Sequence, residues 1–457
     1  MEVPQLAISN EELRAKICEH LSPLILDETK VKKLRDVFED EVEKGIESGL
    51  EGSSIQMENT YIPELLDGSE EGDFLALDLG GTNFRVILLN LKKGRIEKEI
   101  IEYYSVDEAL RVGPGSDLFD FLATCIQEFC SKHSISGEST ISLGFTFSFP
   151  MIQHALNVGV LVNWTKSFTC PGVIGEDAVL LLNNSLQKIG LLNVRVVAIL
   201  NDTTGTLVAG SHDYSDCSIG LILGTGTNGA YMEKVERIKR WESGSKEGLK
   251  DVIVDPEWGA FGDNGSIDFI KTVWDRDLDK YSLLPASFTY EKYFAGKYLG
   301  ELARIILLSV YTGGLLSFCP EQLSNVGSIS TQQVSEITQD MLNGSTSITE
   351  SILSKLGASS QAKEGALVLQ YICELLAERA SILVGIPMAF FLERMDRPTS
   401  TIAVTGSLYK HHPTLKAKLE TRIKKMTEKK YKFGLCDDGS GKGAGLVAAI
   451  AERLARK

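Results

Sequence analysis

The stretch LALDLGGTNFRVILLN, residues 75–90, sets a carboxylate, two glycines, a threonine, an asparagine and an arginine inside one reversal between two apolar runs. A second stretch, IGLILGTGTNGAYMEKV at 219–235, repeats the plan: apolar strand, paired glycines, Thr-Asn, second strand. Thr82-Asn83 corresponds to Thr227-Asn228, a separation of 227 − 82 = 145 residues. That is too long for a solenoid period and suits two related domains. Glycine permits positive φ and removes the Cβ that would block close approach. Successive backbone N–H groups in such a turn make an anion nest. Two turns facing each other across a cleft could hold a polyphosphate, with Arg85 adding a fork of donors. Asp78 cannot bind phosphate itself, but fits a Mg²⁺ riding on the phosphate and held through water. The bland alternative is two empty hairpins, and the matched Thr-Asn pair disfavours it.

A rival reading starts from Gly224, Gly226 and Gly229, which spell the GxGxxG dinucleotide fingerprint. That fingerprint requires a helix opening on its third glycine. The first copy argues against it, because Phe84 to Asn90 reads as a strand. The loop CDDGSGKGAG fails the Walker pattern at Cys436 and Gly443.

The chain has 457 residues, a net charge of −15, 43% apolar residues and 24% charged residues. Its length suits two to three domains, and its composition is that of a globular protein. The acidity argues against a nucleic-acid-coating protein. Eight cysteines, at 18, 125, 130, 170, 217, 319, 373 and 436, form no CxxC and read as reduced cytosolic thiols. The N-terminus MEVPQLAISNEELRAK lacks a signal-like apolar core. The longest apolar run, Ala380 to Leu392, contains Pro387 and is too short to span a bilayer. The sequon at Asn163 carries no weight without secretion. His411-His412 is the only adjacent histidine pair and gives no metal spacing.

Residues 1 to about 65 read as amphipathic helices, with Ser9-Asn10-Glu11-Glu12 as a capping box. Strands are expected near 74–79, 84–91, 96–103, 140–146 and 194–200. A mostly helical region spans 265–395, with a loop around 317–330, and a last strand, TIAVTG, lies near 400. The stretch from Lys410 to Lys432 carries nine Lys or Arg against two Glu and reads as a solvated helix face.

Polar residues gather at strand ends between the two turns. Asp202 follows the apolar strand VRVVAIL, at the sheet position where open α/β folds bind ligands. On spacing alone it reads equally as an Asx turn or as a base for an attacking alcohol. Ser148 has no G-x-S-x-G around it and is not read as a hydrolase nucleophile. Taken singly, Lys166, Glu257 and Glu291 read as surface, loop and helix charges.

DLGGTNFR, FTFSFP, NWTK, NDTTGT, LGTGTNGAY, EWGAFGD and DGSGKGAG, in this order, resemble the hexokinase family, animal type, with a single catalytic unit. The resemblance runs from about residue 10 to the end. It implies the α/β actin-like ATPase (ribonuclease H-like) fold, with two domains built on mixed five-stranded sheets around a cleft. The small domain would be 69–200 plus 442–457, and the large domain 1–66 plus 203–439. The implied activity is transfer of the γ-phosphoryl of ATP, with Mg²⁺, to the 6-hydroxyl of glucose and related hexoses. The other implied class is a glucose-sensing protein of the same fold without turnover.

By position, Asp202 matches the family's general base, and Lys166 its catalytic partner. Ser148, Thr165, Lys166, Asn201, Asn228, Glu257 and Glu291 match sugar contacts. Asp78 matches the residue near Mg²⁺. Gly81, Thr82, Asn83, Arg85, Gly224, Thr225, Gly406, Ser407, Gly439 and Ser440 match the nucleotide site. Met151, Asn157, Thr405 and Ser167 depart from the usual pattern without touching a catalytic role. A cytosolic monomer without nucleic-acid or membrane partners is expected.

Overall fold

The structure is a computed structural model that describes residues 4–81, 83–135, 139–358 and 362–456. Two sheets repeat one topology. In the first, Arg95–Ser105, Asn83–Lys92 and Gly72–Leu79 form an antiparallel meander, and Ile141–Phe147 and Val194–Leu200 extend it in parallel. In the second, Asp251–Asp255, Thr227–Lys234 and Cys217–Leu223 form the meander, and Thr399–Thr405 and Lys430–Leu435 run parallel. The second sheet gains a sixth strand, Glu58–Asn59, antiparallel to Asp251–Asp255.

Strand Gly72–Leu79 buries both faces. Leu75, Leu77 and Leu79 join one apolar cluster, and Phe74 and Ala76 join the other. This is the period of two that puts successive side chains on opposite faces of a strand. Helices Gly115–Lys132 and Ala178–Lys188 cover the outer face. The C-terminal helix, Gly439–Ala455, covers the inner face and packs on helix Asp202–Asp213, which lies against the six-stranded sheet. The two helices touch through backbone. A Cβ on Gly443 would lie 2.1 Å from the Gly205 carbonyl oxygen, closer than any side chain tolerates. A Cβ on Gly144 would lie 1.9 Å from the Ala444 carbonyl oxygen.

Several expectations are corrected. Helix Glu11–Leu21 forms, but its cap is Asn10, whose Oδ1 accepts from the Leu13 N–H at 3.0 Å, in place of the expected Ser9–Glu12 box. The hairpin Met151–Ala155 with Val158–Leu161 was not anticipated. The basic stretch ends its helix at Met426, and Lys430–Leu435 is a strand. The C-terminal helix begins at Gly439, so it absorbs glycines that read as a loop. The apolar run at 380–392 lies inside the 34-residue helix Ala362–Met395. That helix is the one among the described residues long and apolar enough to cross a membrane, and its apolar window is wholly buried within the protein.

Candidate active site

Asp202 owes its place to the end of strand Val194–Leu200 and the start of the helix that follows. Asn201 caps that helix, its Oδ1 accepting from the Thr203 N–H at 2.9 Å. The Asn201 amide also donates to Glu257 Oε1 at 2.9 Å. One strand end therefore reaches a loop of the other sheet. Burial raises the pKa of Asp202; the Lys166 charge opposes this, and the Asp78 charge adds to it.

Lys166 follows the hairpin, in the loop after Leu161, and donates from Nζ to the Ser148 carbonyl at 2.9 Å. It and Ser167 both hold left-handed backbone, φ 55° and 68°. Non-glycine residues adopt that region at a cost, and such strain gathers where side chains must be aimed. The Ser148 hydroxyl is buried with no hydrogen-bond partner among the described residues. A buried hydroxyl in that state is an open offer to a ligand. Thr165 and Glu257 line one cleft of about 560 Å³ with Ser53, Ser54, Pro150 and Asn163.

The opposite wall is carboxylate-rich. Glu257 sits at φ 54°, and burial, then the charges of Asp255 and Asp202, drive its pKa well up. Glu291 accepts from the Thr227 N–H at 3.0 Å and is also raised by burial. Asn228 donates to Asp255 at 2.8 Å. Buried like charges together are unstable without proton donors, which a polyhydroxyl ligand would bring.

The two glycine turns work differently from expectation. Neither Gly80, Gly81, Gly224 nor Gly226 has positive φ. A Cβ on Gly80 or Gly81 would meet nothing within 4 Å, so the first turn is open. In the second, a Cβ on Gly226 would strike Glu291 Oε2 at 2.7 Å, and one on Gly224 would come 3.3 Å from Gly406. Gly406 is the glycine that needs its freedom. Its φ is 124°, and a Cβ there would meet the Leu223 carbonyl oxygen at 2.3 Å. Ser407 opens the next helix beside it, and Thr225 is exposed at the tip of the turn.

Arg85 lies beside Ser440 and Gly441, while Gly439 packs against Cys436 and Thr206. Arg85 donates to Asp78 Oδ2 at 2.6 Å and to Asp438 Oδ1 at 2.6 Å, while the Ser440 hydroxyl donates to Asp78 Oδ2 at 2.9 Å. Asn83 is exposed, opposite Ser105. Thr82 lies outside the described residues. No cluster of three or more metal-ligating side chains occurs among the described residues. Asp78 Oδ2 is held by the Arg85 guanidinium and the Ser440 hydroxyl. Reading the sequence missed Asp255, Glu58 and Asp438. The DPE triplet at 255–257 was the one visible signal, a carboxylate two residues before Glu257.

Known proteins share this architecture. Two hexokinase family models match residues 16–212 and 218–450. A hexokinase of Brugia malayi is 37% identical over 91% of this chain and 74% of its own length. Hexokinase-2 of Rattus norvegicus is 36% identical over 98% of this chain, which spans 49% of that relative. The chain thus spans about half the length of the mammalian relatives it matches. Among solved structures, a hexokinase from Schistosoma mansoni complexed with glucose aligns with TM-score 0.84 at 33% identity, covering 97% of this chain and all of that one. These matches carry the actin-like ATPase fold, two α/β units with mixed sheets.

Proposed function

The chain belongs to the hexokinase family, and from that premise we propose that it transfers the γ-phosphoryl of MgATP to the 6-hydroxyl of glucose and related hexoses. The observation that carries the reading is the wall of half-buried carboxylates and buried amides, Asn201, Asp202, Asn228, Glu257 and Glu291, facing Lys166 and Ser148 beside two glycine turns.

Sugar hydroxyls donate to Glu257 and Glu291 and accept from the Asn201 and Asn228 amides. Ser148 gains the partner it otherwise lacks. A site with such groups rejects analogues that leave them unpaired, by a factor on the order of 10⁴ in favourable cases. Asp202 takes the proton of the 6-hydroxyl as its oxygen bonds to the γ-phosphorus and the bond to the ADP oxygen breaks. The raised pKa of Asp202 makes it a stronger base than a free carboxylate. Lys166 offers positive charge to the transferring phosphoryl group. Mg²⁺, held through water by Asp78, would neutralise phosphate charge. Arg85, Thr225, Ser407 and Ser440 supply donors to the nucleotide.

Residues 69–200 with 442–457, and 1–66 with 203–439, are the two bodies that close over the sugar and keep water from the γ-phosphate. A monomer in the cytosol belongs to the same reading.

The test is ADP formation by the purified protein with Mg²⁺ and ATP against glucose, mannose, fructose and no sugar. Sugar-dependent ADP is expected, with glucose among the substrates. ADP at the same rate without sugar would remove the proposal.

A further inference from the structure

Asn228 and Glu257 belong to different elements, yet one atom joins them. Asp255 Oδ1 accepts from Asn228 Nδ2 at 2.8 Å and from the Glu257 N–H at 3.2 Å. The second bond is an Asx-type turn across Pro256, and it meets the backbone where Glu257 takes its left-handed φ of 54°. The first bond settles which way the Asn228 amide faces. Its nitrogen points to Asp255, and its oxygen accepts from the Gly229 N–H at 2.9 Å and the Trp258 N–H at 3.4 Å. One amide hydrogen of Asn228 is left for a ligand. Asp255 itself is buried at the end of its strand, 3% exposed, so it reaches no ligand from solvent.

We propose that Asp255 is a positioning residue for hexose recognition, locking the Asn228 amide and the Glu257 backbone in the arrangement that receives the sugar. This rests on the hexokinase reading above.

Charged groups surround Asp255 on several sides. Glu58 is its Cα partner on the neighbouring strand, Asp202 faces it from its helix, and Glu257 follows on its own loop. Arg240 and His154 act on Glu58, and Lys166 acts on Glu257. The Asp255 charge is among those that push the Glu257 pKa up. Asparagine at 255 would keep an oxygen for both N–H donors while removing that charge. Alanine would remove both.

The experiment is glucose binding by calorimetry and initial-rate kinetics on the full chain from pH 6 to 9, for wild type, Asp255→Asn and Asp255→Ala. Asp255→Ala should weaken glucose binding and raise its KM about tenfold or more, from the buried Asn228 donor left unpaired. Its kcat at saturating sugar should change much less. Asp255→Asn should bind glucose near wild-type strength at pH 8, with the acid limb of binding moved to lower pH, because Glu257 loses a like-charged neighbour. Alanine with unchanged affinity, or asparagine with an unmoved acid limb, would overturn the proposal. If the alanine variant fails to fold, the asparagine pH profile decides. Wild-type protein that binds glucose but forms no ADP would remove the kinase reading alone. Wild-type protein that binds no hexose would remove both.

Discussion

Arg85 and Asp78 are Cα partners across the first hairpin, and the guanidinium meets the carboxylate through Nη2 at 2.6 Å and Nε at 3.2 Å. The register of two adjacent strands thus places a charged pair beside the first glycine turn. Asp438 and Ser440, from the start of the C-terminal helix, close the same cluster.

Removing the arginine leaves Asp78 mostly buried with its strongest partner gone. Arg85→Met should lower stability by about 2 kcal/mol or more in urea unfolding. It should also raise the KM for ATP while leaving glucose affinity near wild type. An unchanged unfolding midpoint would show that the pair contributes nothing.

The pH profile follows from Asp202. A base works only as the carboxylate, and burial holds this pKa above the ordinary aspartate value of about 4. The rate is therefore present at high pH and lost as pH falls through the raised value. Lys166 is the charge that opposes the rise, so Lys166→Met should move the acid limb of kcat/KM to higher pH, in addition to slowing turnover. A limb that stays in place or moves down would contradict the pairing.

Packing of helix Gly439–Ala455 on helix Asp202–Asp213 sets the distance between Asp202 and the loop at Ser440. Gly443→Ala would drive a methyl group into the Gly205 backbone, at 2.1 Å from its oxygen and 2.4 Å from its Cα. Asp202 and Ser440 lie near the starts of these two helices, so a shift of either helix is expected to move one of them. The variant should lose about 1–3 kcal/mol of stability and turn over more slowly even where it is folded. Wild-type kcat in a stable Gly443→Ala protein would refute the coupling.

Arg379 tests the scaffold away from the site. It is fully buried and pairs with both Asp275 oxygens at 2.8 Å. Asp275 also accepts from the Thr272 N–H and hydroxyl, capping helix Val273–Lys280. Arg379→Met should cost about 3–5 kcal/mol by leaving that carboxylate buried without its cation. The folded fraction should keep its KM for sugar. A loss below about 1 kcal/mol would contradict this account.

Much of the molecule could be read from residues alone, for identifiable reasons. Strands Gly72–Leu79 and Val194–Leu200 carry short apolar runs ended by glycine or by Asn-Asp, which is a strand's length and punctuation. The repeat of Gly-Gly-Thr-Asn and Gly-Thr-Gly-Thr-Asn announced two matching sheets, which the shared strand order bears out. Strand Lys430–Leu435 was hidden because its sheet edge is polar and continues a lysine-rich helix. The role of Asp255 was hidden because its partner Asn228 lies 27 residues away, and a spacing pattern cannot report a bond between strands. The glycines at 224 and 226 were expected both for φ and for close approach, and only the second holds. They are needed for close approach to Gly406 and Glu291, which only the packed structure shows.

The most direct measurement is ADP formation with saturating glucose and MgATP by wild type and Asp202→Ala, with glucose binding measured on both. The account predicts that the variant still binds glucose while turnover falls about 10²-fold or more. Near-normal turnover in Asp202→Ala would contradict it, and wild-type protein that binds glucose without forming ADP would make the chain a sugar-binding member of the family without catalysis.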